Sequence, residues 1–174
     1  MDVNFLKKPH KDSDMNQNDI VIVAAKRTPM GGMLGNLSGL SAPELNAMAH
    51  AAALKEAGLN AAEIDEVISG CVLQAGIGQA PARQAARKAG IPDSAGATTI
   101  NKMCGSGMKA VMMAHDMIKA GSASIVLASG MESMTNAPYL LPKARAGYRL
   151  GHGEIKDHMF LDGLEDAYTK GQLM

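Results

Sequence analysis

Tryptophan is absent from this chain of 174 residues, and aromatic residues of all kinds make up only 3%. A core without large rings must close through small, tightly fitted side chains. The 19 Gly and 14 Met fit that requirement, with Met filling irregular gaps. Charge of one sign is missing too. Lys and Arg number 17 and so do Asp and Glu, which removes any global electrostatic case for nucleic acid or an anionic membrane surface. Cysteine is scarce: Cys71 and Cys104 form neither a CxxC pair nor a metal-ligand spacing. A chain this size with two thiols points to a reducing compartment, and the expectation is a cytoplasmic protein. Long hydrophobic runs are lacking as well. The longest charge-free stretches, Thr28–Pro43 and Val67–Ala82, fall short of the ~20 residues of a membrane span and are broken by Gly, Pro or polar residues.

The first residues, MDVNFLKKPHKDSD, have neither the apolar centre of a secretory signal nor the acid-poor character of a transit peptide. Residues 1–14 are expected to be a disordered extension, with Met15 as a natural start. The whole chain is 47% hydrophobic and 20% charged, the balance of a globular domain with a real core.

The apolar run Asp19–Ala25 predicts a buried strand. Four glycines and Pro29 then mark a loop. Ser41-Ala-Pro-Glu44 is a capping box with Pro in the first helical turn. Leu45, Met48, Ala49 and Ala52 follow at helical spacing, and Gly58 supplies the stop. Further strands are predicted at Val67–Leu73, Ala97–Met103 and Ser124–Ser129. Helices are predicted at Pro81–Ala89 and Cys104–Ala120, the second with Met108, Val111, Met112 and Ile118 broadly on one side. The alternation gives an α/β fold, a mixed sheet covered by helices. After Met131 the periodic apolar positions fade and Gly and Pro multiply, so residues 15–131 form the core and 132–174 a loop segment. One short helix is expected near Leu164–Lys170.

Cys104 stands between a predicted strand and a predicted helix, in TTINKMCGSGMKAV. Three readings compete. Free cysteine is a common small buried hydrophobe, and the glycines after it can serve helix–strand packing. Gly105-Ser-Gly107-Met-Lys-Ala110 also satisfies G-x-G-x-x-G/A, the dinucleotide fingerprint, with Glu132 as a candidate ribose ligand. Against it, the strand ends in the polar Asn101-Lys102. The third reading is a nucleophile. A thiol on the first turn of a helix faces unpaired N–H groups and the positive dipole end. Gly105 and Gly107 leave room for an acyl group, and the backbone N–H is a candidate oxyanion donor.

The run INKMCGSGMKAV resembles the acyl-enzyme signature of the thiolases. DIVIVAAKRTPMG, GQAPARQAARKAG, ASGMESMTNAPYLLP and DGLEDAY resemble further thiolase segments in the same order, the last at the start of the loop domain. The likeness covers nearly all of Met15 to Met174 and is greatest to the acetyl-CoA acetyltransferase type. It implies the N-terminal half of a thiolase fold followed by the beginning of a loop domain. It implies that Cys104 takes an acyl group from an acyl-CoA. A second acetyl-CoA then gives acetoacetyl-CoA by Claisen condensation, or the reverse reaction cleaves a 3-ketoacyl-CoA. The resemblance implies CoA thioesters as substrates, no separate cofactor, and a homo-oligomer. By the same likeness Leu164 and Met174 match apolar positions lining the CoA pocket. Leu173 stands where many thiolases carry His.

The family's two bases, a histidine and a second cysteine in a C-x-G context, have no counterpart here. Cys71 is followed by Val72-Leu73. His115 lies eleven residues beyond Cys104, roughly 16 Å along a helix. His50 sits within the first helix, as a packing or surface residue. His10 is in the tail. His152 and His158 lie in the loop segment, in GHGEIKDH, where no further ligand spacing supports a metal. Lys143, Arg145, Arg149 and Lys156 give that segment local positive charge, suited to CoA phosphates or to solvent alone. The expectation is therefore a truncated thiolase, inactive by itself and open to a complementing C-terminal chain. The competing class is a non-catalytic fragment that pairs with another chain.

Overall fold

The computed structural model describes residues 19–174, so the expected extension 1–14 lies outside the described residues. Its elements are α1 (Ala42–Ala57), β1 (Glu66–Gly70), α2 (Pro81–Lys88), β2 (Gly96–Ile100), α3 (Ser106–Lys119) and β3 (Val126–Gly130). A two-residue ribbon, β4 (Tyr139–Leu140) and β5 (Lys156–Asp157), follows in the loop segment. The class is α/β, as the alternation predicts. The three main strands run parallel in the order β2-β1-β3, and the antiparallel pairing is confined to the ribbon.

Going from β1 to β2 and then back past β1 to β3 reverses the direction of travel across the sheet. Crossovers of one hand then put α2 and α3 on opposite faces. The side-chain alternation agrees. Val67 packs with Leu54 of α1 and Ala86 of α2. On the other face, Gly70 lies against Ser106 at the start of α3. A Cβ on Gly70 would come within 2.5 Å of the Ser106 Cβ, so only glycine admits this approach. Gly107 and Gly130 also meet, less tightly, with a Cβ on Gly130 placed 3.3 Å from the Gly107 Cα, and the helix start sits directly on the strand ends.

The helices bury their small residues and expose their large ones. Ala82, Ala85, Ala86 and Ala110 are fully buried, whereas Met108 is 73% exposed, with Val111 and Met112 also in solvent. The predicted apolar side of α3 is thus turned away from the sheet. In α1 the predicted stripe is likewise displaced. Met48 and Ala52 are exposed, and Asn46, Ala47, His50 and Leu54 face inward. The cause is a polar seam between α1 and the sheet. Asn46 Nδ2 donates to Ser69 and Ser129 Oγ, both at 3.1 Å, and His50 Nε2 bonds Ser129 Oγ at 2.9 Å. Paired hydroxyls on neighbouring strands make this face accept polar partners.

Ser41 opens α1 as predicted: its N–H and its hydroxyl both donate to Glu44 Oε2, at 2.9 and 2.7 Å. Those bonds, with a lesser contribution from Lys88, hold the Glu44 carboxyl down to about 2. Two predicted elements are not formed. Residues 19–25 make no strand, and Ile22 is 78% exposed. The sequence is strand-like, but it joins no strand ladder among the described residues, and a strand exists only as part of a ladder. Leu164–Lys170 is no helix either. A short π-turn at Phe160–Leu164 ends at Glu165, which is extended. Beyond it the Glu165 carboxylate accepts the Gly171 N–H, and Asp166 accepts those of Tyr168 and Thr169. Carboxylates that bond nearby N–H groups favour turns over helix.

Candidate active site

Because the strands are parallel, their carboxyl ends lie at one edge of the sheet, where α/β folds place their ligands. An open cleft of about 460 Å³ lies there. Its lining includes Gly70 and Cys71 from the end of β1, Gly130 and Glu132 from the end of β3, and Cys104 from the turn after β2.

That turn is tightly laced. Met103 N–H donates to Asn101 Oδ1 at 2.9 Å, and Gly105 N–H to the Lys102 carbonyl at 3.1 Å. Ser106 Oγ accepts the Lys102 N–H at 2.8 Å and donates to the Met103 carbonyl at 2.6 Å. Met103 itself has φ +49°, a left-handed conformation that is strained for a side chain of this size. Cys104 follows it, exposed, one residue before the helix cap Gly105 and not in the first helical turn as predicted. The chain therefore bends sharply and leaves the thiol at the cleft.

The other readings of this motif lose their support. The N–H groups of Gly105 and Ser106 are spent on carbonyls of the turn, so they are not free for a phosphate. Gly107 serves contact with Gly130. Glu132 is no ribose ligand: its two oxygens accept the N–H groups of Val72 and Leu73 at 3.0 and 2.9 Å, and the Cys71 S–H at 3.6 Å. The carboxylate thereby brackets the chain leaving β1 to the chain leaving β3.

The buried-thiol reading fits Cys71 and fails for Cys104. Burial first, and then the Glu132 charge, pushes the Cys71 thiol up to about 12. Leu164 lines the same cleft as Cys104, while its neighbour Gly163 packs against Leu73. Met174 donates its N–H to the Leu164 carbonyl at 3.0 Å, but its side chain is largely exposed and outside the cleft lining.

Among the described residues no imidazole is hydrogen-bonded to Cys104. His50 belongs to the polar seam, His115 pairs with Asp116 at the surface, and His152 is exposed. His10 lies outside the described residues. His158 is buried; its Nε2 accepts the Ala75 N–H at 3.3 Å and its Nδ1 donates to Asp162 at 2.6 Å. It fastens the loop segment to the chain after β1. Sequence reasoning missed this fastening, and equally the roles of Ser106 and Glu132. Glu132 and His158 act through tertiary contacts and Ser106 bonds across a local bend, and the local sequence carries no signature of any of them. Among the described residues, no group of three His, Cys, Asp or Glu is placed to hold a metal. None of the described helices is long and apolar enough to cross a membrane. Of the four cations between residues 143 and 156, Lys156 pairs with Glu154, while Lys143, Arg145 and Arg149 stand on an exposed stretch.

A strand-end cleft with an exposed cysteine at a strained turn before a helix defines a cysteine-centred α/β domain, and the family can be stated. The profile of the thiolase N-terminal domain matches residues 20–174, and the chain belongs to that family. It is 53% identical over 160 residues to acetyl-CoA acetyltransferase 2 of Arabidopsis thaliana, covering 92% of this chain and 40% of that protein. It is 51% identical over 151 residues to an acetyl-CoA acetyltransferase of Pseudomonas aeruginosa, covering 87% and 38%. With one of Cupriavidus necator it shares 52% identity over 152 residues, covering 87% and 39%. The chain spans about two fifths of the length of these relatives.

Proposed function

We propose that this chain is the N-terminal portion of an acyl-CoA C-acyltransferase, with Cys104 as the residue that accepts the acyl group. The observation that carries the proposal is the exposed Cys104 at the strand-end cleft. The Cys104 thiolate attacks the thioester carbonyl of acetyl-CoA, the bond from that carbon to the CoA sulfur breaks, and CoA leaves and takes up a proton. The acetyl group remains as a thioester on Cys104, an exchange of like bonds that needs no oxidant or separate cofactor. The α-carbanion of a second acetyl-CoA then displaces the Cys104 sulfur to give acetoacetyl-CoA, and the reverse sequence is thiolysis of a 3-ketoacyl-CoA.

Forming that carbanion requires a base, and the described residues offer none at Cys104. Cys71 holds its proton at neutral pH, and His50 and His158 are committed to structural bonds. The bases therefore come from a C-terminal half, attached or supplied as a complementing chain. The exposed Met108, Val111 and Met112 face of α3 suits such a cover. Residues 132–174 begin the loop domain over the cleft, after a core of residues 15–131. Leu164 and Met174 line the pantetheine pocket, and Lys143, Arg145 and Arg149 meet the CoA phosphates. The working protein is a cytoplasmic homo-oligomer in acyl-chain (lipid) metabolism.

Thiolysis of acetoacetyl-CoA tests this reading. The 174-residue chain alone should show none, and adding a C-terminal half of an acetyl-CoA acetyltransferase should restore turnover. Cys104→Ser should abolish the restored activity. A Cys104→Ser protein that turns over like the unsubstituted one would overturn the assignment.

A further inference from the structure

We infer that Ser106 is a positioning residue for acyl transfer, acting through the turn that presents Cys104. The inference rests on the acyl-carrier reading of Cys104. Ser106 is 5% exposed, and its hydroxyl is committed on both sides. It accepts the Lys102 N–H at 2.8 Å and donates to the Met103 carbonyl at 2.6 Å. Those two groups flank the Met103 φ, which at +49° is the strained torsion of the turn. The hydroxyl thus clamps the chain across the bend that would otherwise relax.

The seat of the clamp is rigid. Ser106 lies on the Gly70 backbone, so the hydroxyl is referred to the central strand and not to a loop. Asn101 braces the same bend from the solvent side through the Met103 N–H at 2.9 Å. Cys104 lies between the clamped residues Met103 and Ser106, so the direction of its Cα–Cβ bond is set by bonds that Cys104 does not itself make. Neither helix capping nor core packing calls for this arrangement. Ser106 makes no side-chain cap bond at the start of α3, and an alanine would fill the same buried volume against Gly70. What the hydroxyl adds is the orientation of the residue two positions before it.

The test uses Ser106→Ala and, as a second variant, Asn101→Ala, whose exposed site leaves no buried hole. Each is compared with the unsubstituted protein, with any C-terminal partner it needs for acyl transfer bound. Two rates on Cys104 are read by mass spectrometry: acetylation by acetyl-CoA and alkylation by iodoacetamide. A small, freely approaching alkylating agent does not need the thiol aimed, whereas attack on a bound thioester does. Ser106→Ala should slow acetylation at saturating acetyl-CoA by roughly 10- to 100-fold, with the half-saturating concentration and the alkylation rate within about two-fold. Asn101→Ala should slow it by a smaller factor, about three-fold or more.

Equal acetylation rates in Ser106→Ala and the unsubstituted protein would overturn the inference. If Ser106→Ala does not fold, an Asn101→Ala protein that acetylates at the unsubstituted rate would overturn it too. Parallel loss of acetylation and alkylation would also count against it, because the hydroxyl would then be acting on reactivity and not on aim. The acyl-carrier reading fails separately, if the unsubstituted protein gains no acetyl group on Cys104.

Discussion

Gly70→Ala probes the joint between the sheet and the site with a single methyl group. The new Cβ would stand 2.5 Å from the Ser106 Cβ, 2.6 Å from the Ser106 carbonyl carbon and 2.8 Å from the Gly107 nitrogen. Two of these atoms are backbone, so no rotamer change relieves the overlap. Ordinary contact begins near 3.4 Å, and the start of α3 must retreat by about 0.9 Å. Forced overpacking of this kind costs roughly 1–3 kcal/mol. For a protein of this size that lowers the melting temperature by roughly 3–10 °C. The same retreat moves the Cys104 turn, and displacement on this scale slows a positioned reaction by up to about 100-fold. Thermal unfolding by circular dichroism gives the first number and Cys104 acetylation the second. A Gly70→Ala protein that melts within 1 °C of the unsubstituted one (about a quarter of a kcal/mol) and acetylates at the same rate would refute the close packing of α3 on β1.

Two further outcomes follow from the buried titratable groups. Burial holds the His50 imidazole at about 4, against an ordinary 6.5. Its folded value is depressed, so the unfolded chain binds the proton first as pH falls. Stability is complete above pH 6.5 and declines toward pH 4 by up to about 3 kcal/mol. Urea unfolding from pH 7.5 to 4.5 should show this slope, and His50→Gln should remove it; an unchanged slope in the variant would contradict the assignment. For the two thiols, iodoacetamide at pH 8 should alkylate Cys104 and leave Cys71 unmodified, because burial and the Glu132 charge keep the Cys71 proton in place. Peptide mapping that found Cys71 modified first in the folded protein would count against the buried Cys71–Glu132 pair.

The order of strands and helices was legible in the sequence wherever local signals and tertiary structure coincide. Ser41 with Glu44 starts α1, Pro81 starts α2, and the Val67-Ile68 run becomes the buried centre of β1. Orientation was not legible. Large apolar residues on α1 and α3 suggest the buried face, yet the sheet presents Gly70, Gly130 and paired serines. Against those only Ala, Ser, Asn or His fit closely. The strand predicted at 19–25 shows the opposite limit, since its composition is right and its ladder partner is missing among the described residues. At the candidate site, Cys104 stands out in the sequence by its motif and its family likeness. Ser106, Glu132 and His158 act between segments distant in sequence or across a bend, and no spacing rule points to such contacts.

The central claim is that Cys104 is an acyl acceptor. Intact-mass and peptide mass spectrometry after exposure to acetyl-CoA test it most directly. One acetyl group is expected, on the Cys104 peptide, labile to hydroxylamine and absent from Cys104→Ser. A protein that remains unacetylated with its C-terminal half bound, or that carries the group on Cys71, would contradict the claim and leave a domain that pairs with another chain without chemistry of its own.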